Sequence, residues 1–327
     1  MATPLSILDL AVIGENESAA SSLAGSVELA RRAEECGYHR VWYAEHHNMK
    51  SIASSATSVL IAHVAAHTNT IRLGSGGVML PNHSPLIIAE HYGTLAELHP
   101  GRIDLGLGRA PGSDQATQRA LRRSPQAAEN FPQDVVELQA YLQGESKIPG
   151  IDAIPGKGTN VPLYILGSSL FGAQLAAALG LPYAFASHFA PAMLQDAIAA
   201  YRANFKPSQQ LDEPYFMAAV NVIGSDSADD AQEQLQATLR ARVRLFAATD
   251  RKITDDEADA YLASPGGQRI ASMLQYSAVG VESDVREYLQ EFADLTAADE
   301  LIVAHQGPTI NQRLRSVEIG ASAWGLT

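Results

Sequence analysis

Cysteine is almost absent from this chain of 327 residues, which contains only Cys36. A single thiol excludes an internal disulfide framework and a thiolate-rich metal site. Cys36 closes an amphipathic run that is typical of a helix, so we expect a buried structural thiol rather than a nucleophile. The near absence of cysteine also fits a cytoplasmic protein.

Basic residues are also few, since 23 Lys and Arg stand against 36 Asp and Glu and give a formal net charge of −13. Nucleic acids and anionic membranes attract basic surfaces, so we expect neither as a partner. Every apolar run ends well short of the ~20 residues that cross a bilayer. Residues 1–10 lack a basic segment ahead of an apolar one, so we expect no secretory signal and a cytoplasmic location.

Short apolar runs alternate with longer amphipathic runs along most of the chain. The predicted strands are 6–13, 40–44, 70–80, 102–107, 163–166, 183–187, 215–223 and 300–304. Each is followed by helical material, which indicates a parallel sheet. Three segments break the rhythm: 109–130 and 147–162 are predicted as loops, and 248–278 as an excursion of small helices.

A closed barrel and a doubly wound open sheet both fit this alternation. We favour the α/β class and a (β/α)₈ TIM barrel with insertions, because such barrels routinely exceed 250 residues as one unit. No change of composition divides the chain. We therefore predict a single domain over residues 1–327.

Two adjacent histidines, His46 and His47, follow the second predicted strand in the segment W-Y-A-E-H-H at 42–47. Adjacent strand residues face opposite sides, so the two cannot both face one site. Either His46 is a packed residue at the rim, or its imidazole moves protons near pH 7 at the mouth of the barrel. The other histidines are scattered without His-x-x-x-His spacing, so we predict no metal site.

Glycines crowd the next two strands, in L-G-S-G-G-V-M-L-P at 73–81 and G-R-I-D-L-G-L-G-R-A-P-G at 101–112. Three glycines within four strand residues indicate either a bulge or the close approach of a flat ligand. The second run does not match the dinucleotide-binding fingerprint. Arg109, leaving the strand, suits a phosphate or carboxylate. We expect Arg102 and Asp104 to form structural ion pairs.

Small residues lead from the fifth predicted strand into a helix, in L-G-S-S-L-F-G-A-Q at 166–174. Free backbone N–H groups and the hydroxyls of Ser168 and Ser169 would then meet at a helix N-terminus, which favours anions. An ordinary serine N-cap is the alternative.

These segments, taken in order, resemble the luciferase-like flavin monooxygenase family over essentially the whole chain. The segments that carry the resemblance are 42–47, 73–81, 85–98, 101–112 and 166–176. The resemblance implies a (β/α)₈ barrel, often dimeric, that binds flavin mononucleotide (FMN) without a covalent bond. We therefore expect FMN, used in its reduced form, and a possible homodimer.

The resemblance also implies roles for particular residues. His46 matches the histidine that is important for flavin peroxide chemistry, which makes it the predicted catalytic residue. The Gly76–Gly77 bond matches a non-proline cis peptide beneath the flavin ring, and Arg109 matches a flavin-contacting arginine. The phosphate-binding turn falls on three residues: Ser168, Ser169 and Gly172.

One departure concerns Gly108, which stands where the light-emitting enzyme has a reactive cysteine. We therefore do not expect light emission or a long-chain aldehyde substrate. The leading hypothesis is a two-component monooxygenase that uses O₂ on a small organic substrate and receives reduced FMN from a separate flavin reductase. The alternatives are a deazaflavin-dependent reductase or dehydrogenase, and a non-catalytic flavin-binding protein.

Overall fold

Eight parallel strands close into a barrel in the computed structural model, which describes residues 3–14, 16–110, 115–247 and 252–327. The order around the ring is β6-β5-β4-β3-β2-β1-β9-β7, and β7 pairs back with β6. The strands are β1 Leu5–Asp9, β2 Arg40–Tyr43, β3 Arg72–Met79, β4 Ile103–Gly108, β5 Leu163–Gly167, β6 Tyr183–Phe185, β7 Phe216–Gly224, β8 Ser277–Gly280 and β9 Glu300–His305. This closure confirms the predicted (β/α)₈ barrel and excludes the open sheet.

Helices surround the barrel. They are α1 Ala19–Glu35, α2 Thr57–Ala65, α3 Pro85–Leu98, α4 Gln115–Ala120, α5 Phe131–Gln143, α6 Leu170–Leu179, α7 Leu194–Asn204, α8 Ala228–Phe246, α9 Asp255–Leu262, α10 Pro265–Ser272, α11 Glu282–Thr296 and α12 Ile310–Trp324. Cys36 is the C-cap of α1 and is buried, as expected. Within the described ranges, no helix has the length and apolar character needed to cross a membrane.

The predictions for the irregular segments were partly wrong. The predicted loop 109–130 contains α4 and a 3₁₀ turn at Pro125–Glu129, and its residues 111–114 lie outside the described ranges. The predicted excursion contains helices α9 and α10, but it ends in β8, which pairs with β7 outside the ring. Four residues of the sequence Ser-Ala-Val-Gly carry too little alternation to predict a strand.

The glycine-rich third strand contains a bulge. The pairing of β3 with β4 shifts register between Ser75 and Val78, and the Gly76–Gly77 peptide bond is cis. A Cβ at Gly77 would lie 2.8 Å from the carbonyl oxygen of Gly106, so only glycine fits there. The bulge accounts for this glycine pair by packing alone, and contact with a flavin ring stays a prediction.

Buried charges fill the N-terminal end of the barrel interior. The Arg40 guanidinium donates to Asp104 at 2.8 Å and to Glu300 at 3.0 Å, and all three side chains are buried. Arg72 also pairs with Asp104, which confirms the predicted ion pairing of that carboxylate. The prediction for Arg102 was wrong, because its guanidinium donates to the carbonyls of Ile71 and Thr68 and forms no ion pair with a described residue.

Candidate active site

The interior of the barrel changes from large to small side chains toward the C-terminal ends of its strands. The rings of Trp42 and Tyr164 pack edge to face with centroids 4.9 Å apart, and Arg40 lies beneath them. Ala44 and Ala219 occupy interior positions nearer the mouth. We expect a ligand at this end, where the βα loops of such barrels build their sites.

Three neighbouring strands bring most of the predicted cofactor residues to one rim. Met79 of β3 pairs with Gly108 of β4, which in turn pairs with Leu166 of β5. The Gly76–Gly77 bulge, Arg109 and the turn before α6 therefore lie at adjacent strand ends. Two surface cavities lie at the opposite end of the barrel, beside Tyr38 and beside Trp324, and contain none of the predicted site residues.

The start of α6 has the features of an anion site. Ser169 occupies the N-cap position, but its side chain makes no capping hydrogen bond. The Tyr183 hydroxyl donates to the Ser169 carbonyl at 3.0 Å, and a Cβ at Gly172 would lie 3.1 Å from the same ring. Tyr183 thus holds the turn in place while the first N–H groups of the helix remain available to a ligand.

Arg109 lies against this turn. Its guanidinium carbon is 3.9 Å from the centroid of the Phe171 ring, the second residue of α6. Arg109 is exposed, and no ion pair joins it to a described residue. A guanidinium that stacks beside an uncapped helix start can hold a phosphate together with the helix N–H groups.

A buried carboxylate links the ends of β2 and β3. Glu45, which follows β2, is 1% exposed, and its Oε1 lies 2.6 Å from His47 Nε2 and 2.8 Å from His83 Nε2. Its Oε2 accepts from the Met79 N–H at 3.0 Å, and its own N–H donates to the Gly77 carbonyl at 3.3 Å. Burial opposes ionisation, but the hydrogen bonds from both histidines and Met79 lower the pKa of Glu45 to about 2.

This Glu45, His47 and His83 cluster has the composition of a metal site, with its ligand atoms within 4.8 Å of one another. Both imidazoles approach the same carboxylate oxygen, so the group is already satisfied as a hydrogen-bonded cluster. The Glu45 hydrogen bond raises the pKa of His47, which favours a protonated imidazole that donates to the carboxylate. A metal ion needs neutral imidazoles, so the absence of a metal stays our prediction.

His46 differs from its neighbour. Its backbone N–H donates to Ser54 at 3.0 Å, which holds the segment after β2 against the segment before α2. Its Nδ1 is buried and has no hydrogen-bond partner among the described residues. Burial lowers the pKa of His46, with a smaller contribution from the charge of His47. The imidazole is therefore neutral near pH 7 and able to accept a proton.

His188, after β6, is a further candidate site residue, and the sequence alone yielded no prediction for it. It is 7% exposed, and its Nδ1 also lacks a partner among the described residues. The Asn221 amide of β7 donates to its carbonyl at 2.7 Å, and Gln306 donates to Asn221 at 3.1 Å. Burial lowers the pKa of His188 to about 3, with further lowering by the charges of Arg242 and His46.

The signal for His188 was present in the sequence, because this histidine follows directly on the predicted strand 183–187. Glu45 stands beside the histidine pair, but its partner His83 could be found only from the packing of β2 against β3. Arg242 belongs to α8, and no local pattern marks which residue of that helix turns toward the barrel.

Residues 3–299 match the family described as luciferase-like monooxygenase. The chain belongs to this family. Its sequence is 50% identical over 317 residues to an Escherichia coli K12 protein of that name, covering 96% of this chain and 95% of the other. It is 36% identical to the N-acetyl-S-alkylcysteine monooxygenase of Bacillus subtilis, covering 79% of each chain. The predicted resemblance is thereby confirmed.

Solved structures agree with this family membership. The crystal structure of apo-MsnO8 superposes with a TM-score of 0.89 at 36% identity, covering 99% of each chain. More distant structures share the fold alone. They include an F420-dependent secondary alcohol dehydrogenase, 14% identical with a TM-score of 0.72, and a type II Baeyer–Villiger monooxygenase in complex with FMN, 15% identical with a TM-score of 0.71. The luciferase-like family is thus one of oxidoreductases. The two distant structures show that the same barrel occurs in an F420-dependent enzyme and in an FMN-bound one.

Proposed function

We propose that this luciferase-like protein is a flavin-dependent monooxygenase that uses reduced FMN and O₂ to oxidise a small organic substrate. The observation that carries the proposal is the contact of Arg109 with Phe171 beside the uncapped start of α6. One cation therefore lies close to helix N–H groups that no side chain caps. A phosphate monoester matches that arrangement in charge and in hydrogen-bonding capacity.

The residues at the mouth fit the rest of the cofactor. Ser168 and Ser169 offer hydroxyls at the turn, and Gly172 keeps it close to the ring of Tyr183. The Gly76–Gly77 bulge carries no side chains beyond the backbone, so it is the proposed place for one face of the flavin ring. Reduced FMN supplies the electrons for the reaction with O₂ when it is bound.

His46 is the proposed catalytic residue. Its neutral imidazole, with Nδ1 free among the described residues, can hold or move a proton at that atom. Glu45 acts as a positioning residue, because it ties the end of β2 to the bulge through Gly77 and Met79.

Reducing equivalents would come from a separate flavin reductase, since no dinucleotide-binding fingerprint is present in the sequence. An N-acetyl-S-alkylcysteine is the first substrate to assay, because a relative 36% identical to this chain is named for that activity. A homodimer is compatible with this function, as is cytoplasmic location, and both stay predictions.

The test measures O₂ consumption by the purified protein with reduced FMN, with the deazaflavin F420 in reduced form as the comparison. We expect consumption and product only with reduced FMN. FMN should also bind more tightly than riboflavin by on the order of 2–4 kcal/mol, because riboflavin lacks the charged phosphate. Turnover with reduced F420 under anaerobic conditions would show that the protein is a reductase and not a monooxygenase. Flavin binding without any turnover would show that it is a flavin-binding protein without catalytic activity.

A further inference from the structure

One arginine of α8 faces the barrel without a carboxylate partner. The helix carries arginines at positions 240, 242 and 244. Arg240 pairs with Asp259 at 2.6 Å, and Arg244 pairs with Asp255, so both face α9. Arg242 points about 160° away from each of them at 3.6 residues per turn. No hydrogen bond or ion pair joins it to any residue that the structure describes, although it is half-buried.

The face of α8 that bears Arg242 carries polar as well as apolar residues. Thr238, four residues before Arg242, shares this face with the apolar Ala231 and Leu235, and Gln234 lies at its edge. Gln234 is 3% exposed, and its Oε1 has no partner among the described residues. A helix face turned toward strands β7 and β8 is normally apolar, so its polar residues call for a ligand or another partner.

His188 lies opposite this face, at the mouth of the barrel. Arg242 stands close enough for its charge to help lower the pKa of His188, and His46 does the same from the end of β2. Burial lowers the pKa of Arg242 itself to about 10, and no carboxylate among the described residues offsets this loss of water. The unpaired guanidinium and the unpaired, buried Nδ1 of His188 are thus two separate observations at one place.

We propose that Arg242 and His188 form an anion subsite that binds a carboxylate group of the organic substrate. The inference rests on the proposed function, because it names the substrate class for the same barrel mouth. Leaving a partly buried guanidinium and a buried imidazole nitrogen unpaired costs free energy, and a bound carboxylate satisfies both.

The charges favour a carboxylate over a phosphate. Arg242 supplies one positive charge, and His188 is neutral at pH 7, so a monoanion leaves no uncompensated charge. The guanidinium fork matches the two oxygens of a carboxylate. Arg109 and the start of α6 already form a separate place for the cofactor's phosphate.

The experiment uses benzoate and its neutral isostere benzamide as probes of the flavin-free protein, followed by calorimetry and by thermal unfolding. We expect benzoate, but not benzamide, to bind and to raise the unfolding temperature. Arg242→Met should weaken benzoate at least tenfold, and Arg242→Lys should weaken it less because it keeps the charge. Arg244→Met is the matched control from the outer face and should bind benzoate like the wild-type protein.

Affinities for FMN and riboflavin distinguish a carboxylate of the substrate from the phosphate of the cofactor as the anion that Arg242 binds. Unchanged affinity for both flavins in Arg242→Met, together with lost benzoate binding, supports the substrate subsite. Weaker FMN with unchanged riboflavin would assign Arg242 to the cofactor's phosphate and overturn the proposal. Equal benzoate affinity in Arg242→Met and Arg244→Met, or no benzoate binding by the wild-type protein, would overturn it as well. Because these readouts need no turnover, their failure is distinct from failure of the monooxygenase function.

Discussion

His46 and His47 are adjacent in the chain but have opposite electrostatic surroundings. The Glu45 carboxylate raises the pKa of His47, whereas burial lowers the pKa of His46. The two imidazoles therefore differ in how readily they take up a proton, and of these two only His46 has a buried nitrogen without a partner among the described residues. The expectation that neighbouring histidines face different sides agrees with these contacts.

We expect His46→Ala to keep flavin affinity and to lose turnover by about 10²–10⁴-fold, as for a lost proton-transfer group. Rapid mixing of the protein, reduced FMN and substrate with O₂ measures the rate and the product yield. If His46 were only a packed residue at the rim, the variant would lose about 1 kcal/mol of stability and keep its yield.

His47→Ala is not a suitable control for that experiment, because it breaks the hydrogen bond to Glu45 and disturbs the end of β2. The exposed His91 of α3 is a better control, since its side chain makes one polar contact among the described residues, a 3.3 Å approach to Ser58. His91→Ala should keep both the rate and the yield of the wild-type protein.

Glu45→Gln tests whether the carboxylate is what links the two strand ends. Loss of the Glu45 carboxylate should lower the free energy of unfolding by about 1.5–3 kcal/mol, as for hydrogen bonds to charged groups. The raised pKa of His47 stabilises the fold below its ordinary value of about 6.5, and this contribution fades as the pH rises through the raised value. Urea unfolding should therefore show a larger deficit at pH 6 than at pH 8.5.

The same measurement also tests the absence of a metal from the Glu45, His47 and His83 cluster. Wild-type protein dialysed against EDTA should unfold at the same urea concentration as undialysed protein. A loss of stability on dialysis, restored by a divalent cation, would show that the cluster binds metal and that the hydrogen-bonded arrangement is incomplete.

At the scale of strands and helices, the most accurate predictions concerned elements that a local sequence signal marks. Strand β2 was predicted to within one residue, because its apolar run is bounded by polar segments. The polar helix opened by Ser227 was also predicted correctly, and the Ser227 side chain caps it by accepting from Asp230. Local signals of this kind do not depend on the rest of the fold.

The residues that were missed depend on contacts between distant elements. Arg242 gains its position only because α8 folds back over the barrel with its paired arginines turned toward α9. His83 reaches Glu45 only because β3 lies beside β2. Sequence periodicity reports which face of a helix is apolar, but it does not report which neighbour that face meets.

The connection between β4 and α6 yields a prediction at this scale. We expect Arg109→Ala to weaken FMN more than riboflavin, because we propose that the guanidinium beside the start of α6 binds the phosphate rather than the ring. Quenching of flavin fluorescence measures both affinities. Arg286→Ala, an exposed arginine at the far end of the barrel, is the control and should change neither. Equal weakening of both flavins would place Arg109 on the ring.

At the scale of the whole molecule, the two ends of the barrel differ: buried ion pairs lie at the N-terminal end, and the candidate site residues lie at the C-terminal end. The N-terminal end is closed by the buried ion pairs of Arg40, Asp104 and Glu300, with the Tyr215 hydroxyl donating to Glu300 at 2.7 Å. At the C-terminal end, one ring nitrogen each of His46 and His188 has no partner in the part of the chain that the structure describes. Paired polar groups at the N-terminal end keep the scaffold rigid, and the polar groups at the C-terminal end can bind a ligand.

Buried neutral histidines make the stability of the fold depend on pH. Burial lowers the pKa of His305 to about 3, and its Nδ1 lies 2.8 Å from Ser316 Oγ. In the unfolded chain the same imidazole titrates near 6.5. Between these two values the unfolded chain binds a proton that the folded protein does not, so stability is present above pH 6.5 and falls as the pH drops toward 3.

In His305→Gln the unfolded chain should bind one proton fewer, because the imidazole that takes it up is absent. One proton corresponds to a slope of about 1.4 kcal/mol per pH unit, so the variant should lose stability more slowly between pH 6 and pH 4, by about 1 kcal/mol per unit. Urea unfolding at each pH gives both slopes. The substitution also lowers stability at pH 7 by removing a packed ring, and for this reason the slope rather than the absolute value is the readout. His91→Gln, at an exposed position, should leave the slope unchanged. An unchanged slope in His305→Gln would mean that His305 takes up its proton in the folded protein, which its contacts with Ser316 and Tyr38 argue against.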